Sequence, residues 1–140
     1  MLKTIFNTRT GSHTDLGLLV LRIAAGSMML THGIPKIINF SAIAASGKFP
    51  AVLGSPEFGL SLAIFAEAGM SLLLIAGFMS RLSTIPLIVT MLIAAFYAHA
   101  GDPFGAKEPA LMYLSMYLAI LLAGPGRFSA DHYIGKKRKH

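Results

Sequence analysis

From Leu82 to Ala98 the chain runs 17 residues without one charged side chain. Wound as helix, such a run extends about 25 Å, close to the ~30 Å hydrocarbon core of a bilayer. Three further windows resemble it. Leu16 to Ile34 holds a single charge, Arg22; Phe58 to Phe78 holds only Glu67; Pro109 to Ala123 holds none. The apolar runs are continuous and lack the sustained alternation of barrel strands. They predict an all-α, integral membrane four-helix bundle with spans at about 16–34, 58–78, 82–98 and 109–123.

The ends of the windows carry helix punctuation. Asp15 stands as a candidate N-cap for the first span, Pro109 at the first helical position of the last, with Glu108 before it as a cap. Gly124-Pro125-Gly126 stops that last span. The first window follows Lys3 and Arg9 as a signal peptide would, but Arg22 interrupts its apolar core. It also ends in Thr-His-Gly-Ile-Pro-Lys (31–36), which is no small-residue cleavage site. It is therefore expected to stay as a span. The 39–57 connection mixes Phe40, Ile43, Phe49, Val52 and Leu53 with Gly, Ser and Pro, which suits either a plain loop or a short helix lying in the interface or folding back over the bundle.

Charged residues make up 13% of the chain, against roughly 25% in a soluble domain. With no Cys, disulfides, thiolate-bound metals and thiol redox chemistry by this chain are excluded. The net charge of +6 would suit a nucleic-acid partner if it were spread over a surface. Four cations instead fall in the tail, at Lys136, Lys137, Arg138 and Lys139. With both termini cytoplasmic, the inner segments hold these four with Lys3, Arg9, Arg81 and Arg127, and the outer ones hold only Lys36, Lys48 and Lys107. That bias follows the positive-inside rule, so the tail reads as a topology anchor favouring anionic lipid and no nucleic-acid partner is expected. The expected organisation is a cytoplasmic segment 1–15, a membrane domain 16–131 and a basic cytoplasmic tail 132–140.

Function has to come from polar groups that a bilayer would otherwise exclude. Arg22 shares a helical stripe with Gly26, Met29, Gly33 and Lys36, and is expected either to snorkel to the headgroups or to be buried against a neighbour. Glu67 lies about 13 Å into the second span counted from its start. The two are expected to pair, a contact that by itself locks two helices in register and does not imply catalysis. At the other ends of the spans stand His32, His99, Asp102 and Glu108. Two imidazoles and two carboxylates can relay protons, bind a metal or hydrogen-bond a quinone carbonyl; a His at a helix C-terminus is also simply what the helix dipole favours. Their spacing is not that of a metal site, and none is expected. Tyr113 and Tyr117, one turn apart on the last span, suit either a cavity for a flat ring or an aromatic belt. No residue is assigned a catalytic role.

Arg22…Gly26…His32-Gly33…Lys36, Phe65-x-Glu67 with Gly77 and Arg81, Met91…His99, and Glu108…Tyr113 leading to Gly124-Pro125-Gly126-Arg127-Phe128-Ser129-Ala130-Asp131 together resemble the DoxX family of small bacterial inner-membrane proteins. The resemblance covers nearly all of residues 16–131. It implies a multi-pass protein of the bacterial inner membrane with four helices, linked to quinone-dependent oxidoreductases or stress-response complexes. The chain has no recognisable flavin, haem or iron–sulfur motif, so electrons for such a role are expected from a redox partner subunit or a soluble donor; the alternative is a non-catalytic scaffold or assembly subunit of a redox or stress-response complex, and a homo-oligomer is left open. The expected ligand is a quinone, with no covalently bound cofactor. The expected pocket consists of Arg22, His32, Lys36, Glu67, His99 and Glu108, with Asp102 and Tyr113 beside it.

Overall fold

A computed structural model describes residues 11–137. Lys3 and Arg9 of the expected inner segment, and Arg138 and Lys139 of the tail, lie outside the described residues. Among the described residues, six helices follow one another. They are α1 Ser12–Ile38, α2 Phe40–Ala45, α3 Pro56–Ala76, α4 Ser80–Ala98, α5 Phe104–Ala123 and α6 Ala130–Lys137. Among the described residues there is no strand, only an isolated bridge between Val52 and Ser55. Helices α1, α3, α4 and α5 are long and apolar enough to cross a membrane.

The helix ends differ from expectation for identifiable reasons. Helix α1 has 27 residues and continues through Pro35 to Ile38, so Lys36 rides in its last turn. Asp15 is not its N-cap: it lies in the first turn, and its Oδ1 accepts the Arg127 backbone N–H at 2.9 Å. Helix α3 begins at Pro56 because Ser55 caps it, its Oγ accepting Phe58 N–H at 3.1 Å. Helix α5 opens at Phe104 behind Pro103, which places Pro109 inside the second turn and leaves Glu108 exposed on the helix surface, not at a cap. Part of the 39–57 connection is helical, as α2, and the rest is loop.

The core is built where the spans meet, from Met29, Leu74, Leu87, Met91, Tyr117 and Ile120 with small alanines between them. Large apolar side chains such as Val20, Leu72, Leu82, Val89 and Leu122 stay exposed on the outer faces. A helix apolar both inward and outward belongs in a bilayer. Close approach of α1 and α3 depends on glycine. A Cβ on Gly26 would fall 3.1 Å from the Ser71 carbonyl oxygen, and one on Gly33 would fall 2.8 Å from Ala68 N. These contacts set the antiparallel register, in which Gly33 faces Glu67 and Ala68, Gly26 faces Ser71 and Ile75, and Arg22 faces Gly77.

Candidate functional site

That register separates Arg22 from Glu67, and the pair expected between them does not form. Glu67 stands level with Gly33, 11 residues beyond Arg22 on α1, a difference of about 16 Å along the axis. Arg22 is buried, 1% exposed. Its Nη1 donates to the Pro125 carbonyl at 2.6 Å and its Nη2 to the Phe128 carbonyl at 2.7 Å. The guanidinium thus holds the turn that follows α5. Gly77, at φ 70°, makes this fit: it ends α3 with Gly77 N–H on Leu74 O and Phe78 N–H on Leu73 O, and a Cβ there would meet Ser129 at 2.7 Å and Arg22 Cζ at 2.9 Å. Asp131 completes the arrangement by accepting Met79 N–H at 2.7 Å and Ser80 N–H at 2.8 Å, capping α4 from a distant part of the chain. Every one of these contacts ends on backbone, so this end of the bundle is a clasp.

The opposite end gathers side chains. Lys36 Nζ lies 2.5 Å from Glu67 Oε2, joining α1 to α3. Glu67 is 7% exposed at its side chain and Lys36 is 22% exposed, so the cation reaches toward the edge while the carboxylate stays within. Glu67 sits in a wider π-helical turn, Phe65–Met70, inside α3; a second, Ala94–Ala98, ends α4 immediately before His99. Such turns re-aim side chains and recur at functional sites. His99 Nδ1 is 2.7 Å from Asp102 Oδ2, which fixes the imidazole's orientation. His32 meets the Tyr113 ring edge-on at 5.9 Å, and Tyr113 stacks on Tyr117 at 6.1 Å.

Two cavities meet at this end. One, of about 310 Å³, is lined by His32, Lys36, Glu67, His99, Tyr113 and apolar neighbours from α1, α4 and α5. The other, of about 560 Å³, runs between α3 and α4 and is mostly apolar. Lys36, Glu67, Ala94 and His99 line both and form their shared wall. Of the residues expected to share a pocket, the structure brings together His32, Lys36, Glu67, His99 and Tyr113. Asp102 lines neither cavity but holds His99. Arg22 belongs to the clasp, and exposed Glu108 lines neither cavity. Among the described residues, no three His, Asp or Glu side chains are placed to hold a metal ion.

The Phe49–Val52 stretch, in the connection expected as a loop or as a short helix at the interface or over the bundle, lines the larger cavity. Two features were not anticipated and had no signal in the sequence: the two π-helical turns, and the buried hydroxyls of Tyr117 and Ser71, which have no hydrogen-bond partner among the described residues.

A sequence model of the DoxX family matches residues 17–100. The chain is 30% identical over 129 residues to the inner membrane protein YqjF of Escherichia coli, covering 88% of this chain and 95% of that one. It is 31% identical over 124 residues to an uncharacterised protein of Haemophilus influenzae, covering 84% and 90% respectively. No solved structure matches.

Proposed function

The chain belongs to the DoxX family, and we propose that it is a quinone-linked redox component or accessory subunit of the bacterial inner membrane, with the Lys36–Glu67 end as its quinone site. The observation that carries this reading is the shared wall: a polar chamber and an apolar one meet at Lys36, Glu67 and His99. Volumes of 310 and 560 Å³ lie in the range of small-molecule sites, roughly 300–1,000 Å³. A quinone supplies two-electron, two-proton redox chemistry when bound. The chain's own residues position and proton-couple it. Lys36 and the imidazoles of His32 and His99 offer donors, the phenol of Tyr113 offers a donor and an apolar face, and Asp102 holds the His99 ring in place so that its other nitrogen is free to exchange a proton. Electrons come from a redox partner, since the chain carries no electron-transfer motif of its own.

Both termini face the cytoplasm in this reading. Arg81, Arg127, Lys136 and Lys137 then lie at the inner end with the clasp, and the Lys36–Glu67 site opens toward the outer side.

A second reading, a non-catalytic scaffold for a redox or stress-response complex, is favoured by the clasp, where Arg22, Asp15 and Asp131 bond, among the described residues, only backbone. Purified protein in nanodiscs separates the two. The quinone reading expects saturable binding of a ubiquinone or menaquinone analogue that His32→Ala with His99→Ala weakens. Absence of saturable binding by the wild-type chain leaves the scaffold.

A further inference from the structure

The larger cavity asks for a particular shape of ligand. Its walls are Leu62 and Phe65 on α3 and Ile85, Val89 and Ile93 on α4, side chains that remain 41–55% exposed and point out of the bundle toward lipid. It therefore opens sideways into the bilayer, not upward into water. Pro50 and Val52 cover it from the side of the 39–57 connection, seated by Gly59, where a Cβ would collide with the Pro50 carbonyl oxygen. Thr90 also lines it, but its Oγ1 is spent on the Pro86 carbonyl at 2.9 Å. Polar chemistry is confined to one end, at Lys36, Glu67 and His99.

That end is nearly charge-neutral, because Lys36 is already paired with Glu67 at 2.5 Å. An anionic phosphate headgroup would have to compete with a carboxylate already in place and would meet that carboxylate's repulsion. A neutral head with hydrogen-bonding oxygens meets no such penalty. We propose, resting on the quinone reading, that the groove between α3 and α4 is the channel for a single isoprenoid tail, through which a tailed quinone reaches the site from within the membrane. The tail lies along Leu62, Phe65, Ile85 and Val89, and the ring sits at the Lys36–Glu67 wall facing His32, His99 and Tyr113. The access route is lateral, and the Phe49–Val52 cover keeps the bulk aqueous phase off the tail.

The test compares binding of a tailless quinone ring, short isoprenyl analogues and a decyl analogue to the full chain in nanodiscs, with each affinity expressed per mole of lipid so that partitioning into the bilayer cancels. Since the tail comes from hydrocarbon, the gain is one of close contact, expected at about tenfold from tailless to tailed ligand, or ~1.4 kcal/mol. Ala63→Phe, which fills the groove from α3, removes that gain and leaves tailless binding unchanged. Val89→Phe, at an exposed position on the rim of α4, does the same if the first variant does not fold. A ring that binds with no gain from its tail overturns the channel while the quinone site stands. No binding by any analogue overturns the quinone reading itself. Competition by an anionic phospholipid as strong as by the decyl analogue makes the groove an ordinary lipid site and overturns the proposal.

Discussion

Gly33 meets Glu67 so closely that a Cβ on the glycine would lie 2.9 Å from the Glu67 carbonyl carbon, and 2.8 Å from the next residue's backbone nitrogen. Backbone cannot swing aside as a side chain can. Gly33→Ala is therefore expected to push α1 from α3, lowering thermal stability in detergent by an amount typical of overpacking, ~1–3 kcal/mol. Because Lys36 lies one turn further on, the same change loosens its contact with Glu67. Gly105→Ala in α5, where a Cβ meets nothing within 4 Å, serves as the control and is expected to be neutral or slightly stabilising. Equal melting temperatures for the two variants would refute the close-approach account.

The ion pair itself gives a non-additive signature. Removing one partner leaves a largely buried charge unpaired, at up to ~3–5 kcal/mol, whereas replacing both restores neutrality. Glu67→Gln and Lys36→Met are each expected to melt lower than the double variant. Three variants destabilised in simple sum would show that the two side chains do not interact.

These two contacts also mark where the sequence could be read and where it could not. Four spans, the buried glycine stripe of α1 and the grouping of His32, Lys36 and His99 follow from apolar length, helical spacing and which end of a span a residue occupies. Pairing Arg22 with Glu67 fails because their depths are counted from opposite ends of two spans, and the first span is longer than its apolar window: α1 runs 27 residues, not about 19, because it starts at Ser12 and carries Pro35 inside it to Ile38. The register is decided by two glycine contacts between helices, and nothing local to either helix encodes it. The π-helical turns at Phe65–Met70 and Ala94–Ala98 were equally illegible, since an extra residue in a helical turn leaves no mark on an apolar run. Glu108 was misplaced for a third reason. Pro109 looks like a first helical residue, but the helix already opens at Phe104, directly behind Pro103, and absorbs the second proline.

The Arg22 clasp and the ion pair, 14 residues apart along α1 at Arg22 and Lys36, are expected to be energetically independent. Arg22→Lys keeps the charge but cannot bridge the Pro125 and Phe128 carbonyls with a planar fork. It should destabilise the fold nearly as much as Arg22→Met. Combined with Glu67→Gln, its effect should add to within about 0.5 kcal/mol, as for distant sites without shared partners. A coupling well above that would restore the direct pairing that the structure lacks.

Absence of Cys from the chain makes the proposed orientation directly measurable. Single cysteines at exposed Ser46, in the connection between α2 and α3, and at exposed Arg127, after α5, are expected to react differently with a membrane-impermeant maleimide applied to intact spheroplasts. Ser46→Cys should label from outside, and Arg127→Cys only after the membrane is permeabilised. The reverse pattern would invert the topology and place the Lys36–Glu67 site on the cytoplasmic side.

Tyr117 offers the sharpest separation of packing from polarity. Its side chain is wholly buried and belongs to the core, while its hydroxyl has no hydrogen-bond partner among the described residues. A buried, unsatisfied hydroxyl carries a desolvation penalty of about 1–3 kcal/mol with no bond to offset it. The ring, by contrast, contributes through contact with Tyr113 and the surrounding core. Tyr117→Phe keeps the ring and removes the penalty, so its melting temperature is expected to equal or exceed that of the wild type. Tyr117→Ala removes the ring and should cost about 3–5 kcal/mol, as for other large core truncations. If Tyr117→Phe instead melts clearly lower while Tyr113→Phe does not, the hydroxyl has a partner in the folded protein. The polar chain from His32 through Tyr113 would then extend to the centre of the bundle.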